Sequence, residues 1–162
     1  MKNLILLIIA TLLIQITAIS QSPCNPDGTT CLPDGITFTT QAQVDSFPIN
    51  YPGCMQIGGD VIIIGEDIIN LEGLDVLTSI GGDLRIYENH SLNNLTGLEG
   101  VTYIWGDLSI CANDSLTNLV GLDNLTYVGG CLIIGHSRPG GNPMLQNLTG
   151  LEELININGD IS

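Results

Sequence analysis

The sequence predicts a mainly-β solenoid, a chain wound into stacked coils of about two dozen residues. Three observations carry the prediction. The stretch "SIGGDLRIYENHSLNNLTGLEGVTYI", Ser79 to Ile104, is restated 24 residues later as "WGDLSICANDSLTNLVGLDNLTYVGG" from Trp105. Within each copy, aliphatic residues alternate with polar ones over short runs, the period of a strand. Asparagine and glycine also recur at fixed places in every copy, as corners would require. One copy is too small to bury its apolar face, whereas several stacked copies share one interior.

Residues 1–20 stand apart. Lys2 precedes the apolar run Leu4 to Ala10 and then "TLLIQITAIS", with the small residues Ala18 and Ser20. This is the make-up of a secretory signal peptide cleaved after Ser20. The rival, an uncleaved anchor, is weakened by Thr11, Gln15 and Thr17 in a stretch already short for a bilayer. No other stretch is a spanning candidate, so the mature chain is expected to carry no transmembrane segment and to be secreted or held at the cell surface.

Residues 21–56 form the expected N-terminal cap. "QSPCNPDGTTCLPDG" reads as loop. In the stretch that follows, Thr39 or Thr40 caps a short helix whose partly apolar face is Ala42, Val44 and Phe47, and Pro48 stops it. A solenoid needs such a lid over its first coil.

The repeats occupy 57–162, as units 57–79, 80–103, 104–127, 128–156 and a partial 157–162. The fourth unit is longer because of "GHSRPGGNP". One column carries Ile57, Ile80, Ile104, Val128 and Ile157; others carry Val61, Leu84, Leu108, Leu132 and Ile161, and Ile63, Ile86, Ile110 and Ile134. Four further leucine-rich columns follow round the coil, such as Leu71, Leu95, Leu119 and Leu148. Stacked about 4.8 Å apart, each side chain packs on its own copy above and below. Two asparagine columns, Asn89, Asn113 and Asn142, and Asn70, Asn94, Asn118 and Asn147, are expected to bond from one coil to the next. A glycine column, Gly73, Gly97, Gly121 and Gly150, marks a corner needing positive φ or close backbone approach.

The strings "LRIYENHSL" and "LSICANDSL" fit the core of leucine-rich repeats. The fuller pattern I-G-G-D-L-x-I-x-x-N-x-S-L-x-N-L-x-G-L resembles the receptor L-domain type. With the leader "GITFTTQAQVDSFPINYPGC", Gly35 to Cys54, the chain is similar to secreted bacterial proteins bearing such repeats over roughly 31–162. The resemblance implies a right-handed β-solenoid, an extracellular location, and a role in surface binding or adhesion. It also implies further repeats and a sorting or anchoring domain beyond Ser162, where the pattern breaks off inside a repeat. It brings no reaction and no binding residues with it.

The chemistry excludes several classes. Apart from Lys2, Arg85 and Arg138 are the basic residues, against 17 acidic ones. Nucleic acid and anionic membrane surfaces are therefore poor partners. Of the five cysteines, Cys31 and Cys54 are the preferred disulfide and Cys24 with Cys31 the rival, while Cys111 and Cys131 are expected to be free thiols. His90 and His136 lie in loops without zinc spacing, and no nucleophile elbow or phosphate loop occurs.

Two columns are candidate sites. Asp60, Asp83 and Asp107, joined by Asp160 and interrupted by Cys131, stack carboxylates that a Ca²⁺ ion would bridge. The plainer reading has each aspartate facing solvent or accepting a backbone N–H at a turn. No other cofactor is expected. Tyr87, Tyr103, Trp105 and Tyr127 form an aromatic set suited to sugar or peptide binding, unless they pack at the coil edge. The leading functional expectation is a non-enzymatic extracellular module that binds a protein or glycan ligand. The alternatives are a polysaccharide-processing β-helix using paired aspartates, and a structural spacer. The uncapped last coil also offers an open edge at which another chain would pair.

Overall fold

The computed structural model describes residues 30–135 and 140–162. Two parallel sheets run the length of the molecule, and each coil gives one strand to each. The first sheet stacks β1 (Thr30–Cys31), β3 (Gln56–Ile57), β5 (Ser79–Ile80), β7 (Tyr103–Ile104), β9 (Tyr127–Val128) and β11 (Asn156–Ile157) in that order. The second stacks β2 (Ile36–Phe38), β4 (Val61–Ile63), β6 (Leu84–Tyr87), β8 (Leu108–Cys111) and β10 (Leu132–Ile134). Odd and even strands thus alternate between two sheets, as a β-solenoid requires.

The register is the one the repeat predicts. Val61 pairs with Leu84, Leu84 with Leu108 and Leu108 with Leu132. Ile57, Ile80, Ile104, Val128 and Ile157 pair in the same way in the first sheet. These columns are fully buried through the middle of the stack. The last coil has no described neighbour on its outer side, so Leu148 and Ile161 are exposed.

The N-terminal cap differs from expectation in a useful way. It is itself a coil: Cys31 pairs with Ile57, Ile36 with Val61 and Phe38 with Ile63, so each column begins one rung earlier than the repeat does. Cys31 and Phe38 replace the aliphatic residues, and "LPDG" replaces the glycine pair, which hides the kinship. Helix α1 (Gln41–Asp45) starts at Thr40, whose side chain accepts from the Gln43 N–H at 3.3 Å. Pro48 does not only end it; it occupies the first turn of a second short helix, α2 (Phe47–Asn50), where a missing N–H costs nothing. Phe38 meets Phe47 edge-on at 5.7 Å and Phe47 packs on Tyr51, closing the apolar end. The Cys31–Cys54 disulfide lies within the cap, joining its first strand to the segment just before β3. Cys111 and Cys131 are free. The expected signal peptide, Cys24 and His136 lie outside the described residues.

Candidate functional site

The aromatic candidates divide. Ile80, Ile104 and Val128 point inward, so their neighbours on the strand point out. That places Tyr103 on β7 and Tyr127 on β9 side by side in register, with Trp105 two residues beyond Tyr103 on the same face. Ring centroids are 6.1 Å apart for Tyr103 and Tyr127, 6.3 Å for Tyr103 and Trp105, and 5.5 Å for Trp105 and Tyr127. Trp105 is 60% exposed and Tyr103 46%, while Tyr127 is half-buried and its hydroxyl accepts from Asn158 Nδ2 at 2.7 Å. These three form one open cluster. Tyr87 lies on β6 of the other sheet, beside Cys111, and does not join it.

Trp105 breaks the local rule of its column. The equivalent positions in the coils on either side are Gly81 and Gly129. A Cβ at Gly81 would meet the Gly58 carbonyl oxygen at 2.4 Å, and one at Gly129 would meet the Trp105 carbonyl oxygen at 2.0 Å. The backbone there is packed too closely for a side chain, yet coil three carries the largest one available and leaves it in water. The flanking glycines put no side chain of that column against the indole, and Tyr127 packs on it from the next rung while leaving most of it in water.

The aspartate column takes on turn work. Asp60 Oδ1 accepts the Asp83 N–H at 2.9 Å, Asp83 Oδ1 the Asp107 N–H at 2.7 Å, and Asp107 Oδ1 the Cys131 N–H at 2.7 Å. Arg85 reaches back to both Asp60 and Asp83. Each carboxylate fixes the next coil, and Arg85 offsets the repulsion between two of them. Among the described residues, no group of three or more His, Cys, Asp or Glu is placed to hold a metal ion. The hydrogen bonds fit the turn reading of Asp60, Asp83 and Asp107: one oxygen of each faces a backbone amide of the next coil.

The asparagine columns also divide. Asn113 Nδ2 donates to the Ile86 carbonyl of the previous coil at 2.9 Å, and its oxygen accepts the Asn89 N–H at 3.1 Å. Asn89 and Asn142 repeat the pattern. Asn70, Asn94, Asn118 and Asn147 instead accept the N–H two residues ahead in their own coil. The expected coil-to-coil bond is made in this column only by Asn70, whose Oδ1 accepts from Gln41 Nε2 of the cap coil at 3.4 Å. Here the side chain mimics a turn of the backbone, which brings its oxygen closer to its own chain than to the next coil.

One repeated column escaped the sequence reading. Glu99 accepts the Gly97 N–H at 2.7 Å, Asp123 the Gly121 N–H at 2.8 Å and Glu152 the Gly150 N–H at 2.7 Å. Its signal was present in "TGLE", "VGLD" and "TGLE", an acid always two residues after the column glycine.

No described helix is long and apolar enough to cross a membrane. Comparison with protein-family models, curated proteins and solved structures finds no match to the chain.

Proposed function

We propose that this protein is an extracellular, non-catalytic binding module, and that the Tyr103–Trp105–Tyr127 cluster is its ligand surface. The observation that carries the reading is Trp105. An indole left 60% exposed in a column otherwise shaped for glycine adds nothing to the core. Departures from a fold's own rule concentrate where function demands them. Aromatic side chains on a hydrogen-bonded sheet also lose little freedom on binding. The resemblance to secreted receptor L-domain repeats and the Cys31–Cys54 disulfide support an oxidising, extracellular setting.

The test is an array of glycans and extracellular protein fragments probed with the wild-type chain and with Trp105→Ala. The substitution should leave stability within about 0.5 kcal/mol, since the side chain is largely exposed. A ligand held by wild type and lost by the variant supports the surface. Ligands retained undiminished by Trp105→Ala and Tyr103→Ala together would remove the cluster from the account.

A further inference from the structure

Beside the aromatic cluster, one residue upstream of each tyrosine, runs a groove of about 620 Å³ lined by Glu99, Thr102, Asp123, Asn124, Thr126 and Glu153. It crosses three coils in the stacking direction. Three of its four side-chain hydrogen-bond donors are already committed: Thr102 Oγ1 donates to the Thr78 carbonyl at 3.2 Å, Thr126 Oγ1 to the Thr102 carbonyl at 3.1 Å, and Asn124 Nδ2 one N–H to the Glu99 carbonyl at 2.8 Å. What remains along the wall is chiefly acceptors. Glu99 and Asp123 each spend one carboxylate oxygen on their own turn and keep the other, and Glu153 is exposed. The ion pairs among the described residues lie elsewhere, at Arg85 and His90. Among the described residues no basic side chain pairs with the groove's acids, within a chain of net charge −14.

We propose that the partner taken at this surface is a cationic protein segment, an extended stretch bearing arginine or lysine. This rests on the ligand-surface reading above and names the chemistry of the ligand. The positive groups lie against Glu99, Asp123 and Glu153, and a neighbouring guanidinium or ammonium with its aliphatic stem lies on Trp105 and Tyr103. An exposed indole attracts a cation through its negative ring face, and adjacent carboxylates add to the attraction. An anionic ligand meets repulsion on every side. A neutral sugar carries no charge to match the carboxylates of the wall.

The chain holds a single tryptophan, so the emission of Trp105 reports directly on its own site. The full chain is titrated at low salt with a capped hexapeptide of alternating arginine and glycine, with its aspartate counterpart, and with cellohexaose. The arginine peptide should change the emission saturably, and the response should weaken as salt rises. Glu99→Gln with Glu153→Gln should weaken that binding about 10-fold, whereas Glu66→Gln with Glu88→Gln, an equal charge change beyond the second sheet, should alter it less than about 2-fold. If both pairs act equally, attraction is diffuse and the proposal fails. A missing response to the arginine peptide also overturns it. If cellohexaose alone moves the emission, the cationic assignment fails while the aromatic ligand surface stands. The array comparison with Trp105→Ala judges that broader reading separately.

Discussion

Two corners of the same coil are marked by asparagine, and they are held in different ways. At the corner after the second sheet, Asn89 and Asn113 are completely buried, and each carboxamide joins its own coil to both neighbours. At the next corner, Asn70, Asn94, Asn118 and Asn147 share one bond, to the N–H two residues ahead, and a coil-to-coil contact is added only at Asn70, from Gln41 of the cap. The difference lies in what the backbone leaves unpaired. At the buried corner, carbonyls such as Ile86 and amides such as that of Asn89 face the interior, where water cannot satisfy them. At the second corner the backbone already bonds from coil to coil, as in Leu95 N–H to the Val120 carbonyl at 2.7 Å, and the side chain has only a turn to close. A repeated residue therefore declares a repeated need without saying whether the need is within a coil or between coils.

The largest effect separating the corners is expected from Asn113→Ala. It strands the Ile86 and Cys111 carbonyls and the Asn89 N–H in a buried site. At about 1–3 kcal/mol for each unsatisfied group, partly relieved by relaxation, the loss should be about 4 kcal/mol. Chemical denaturation of the mature chain measures it. A loss below about 1 kcal/mol would mean the ladder does not hold the stack.

Gly121→Ala comes second and concerns the other corner. Gly121 has φ of +112°, and an added Cβ would lie 2.0 Å from the Leu95 carbonyl oxygen. That oxygen is backbone in the adjoining coil and has no rotamer to escape into. A cost of about 2–3 kcal/mol follows from strain and displacement together. A midpoint unchanged from wild type would show that the coils can separate locally without penalty. The smaller contrast is Asn118→Ala, where the turn bond to Val120 N–H and a bond to the neighbouring Thr117 hydroxyl are lost at a half-exposed site. About 1 kcal/mol is expected, well short of Asn113→Ala. Equal losses at the two positions would erase the distinction between the corners.

How far the sequence discloses this arrangement follows from the same contrast. Columns of aliphatic residues translate directly into register, because a side chain buried on its own copy needs the same type at the same place: Leu84, Leu108 and Leu132 are paired as spaced. The first coil was hidden because its interior is built from Cys31, Phe38, Val44 and Phe47, which fill the same space by different shapes. The second asparagine column was legible as a column and illegible in its bonding, since one side chain serves either geometry. Of the candidate site, the sharing of a column by Tyr103 and Tyr127 was readable. The separation of Tyr87 onto the other sheet followed from its place in the repeat, seven residues after Ile80 at the end of the first-sheet strand. The acidic groove was not seen, because Glu99 and Asp123 share a column with mixed residue types while Glu153 stands one place off it, and only the stacking of coils sets the three in one groove.

The smallest effect is expected where chemistry at first suggests a large one. Asp83 carries a charge, contacts Arg85 and sits in a stack of carboxylates. Asp83→Asn removes the charge and keeps an oxygen in place to accept the Asp107 N–H now bonded at 2.7 Å. Its partner Arg85 remains beside Asp60, and the pair is substantially exposed, with 41% of the arginine side chain in solvent. Exposed pairs are worth little, so a change under about 0.5 kcal/mol is expected. Asp83→Ala takes away the acceptor as well and should cost about 1–2 kcal/mol. If the column served a cation instead, the order would shift: Asp83→Asn would itself be costly in calcium, and millimolar calcium would raise the wild-type melting temperature. With carboxylates bonded along the stack to successive backbone amides, the melting temperature should stay where it is, and the two aspartate variants should differ by the value of one hydrogen bond.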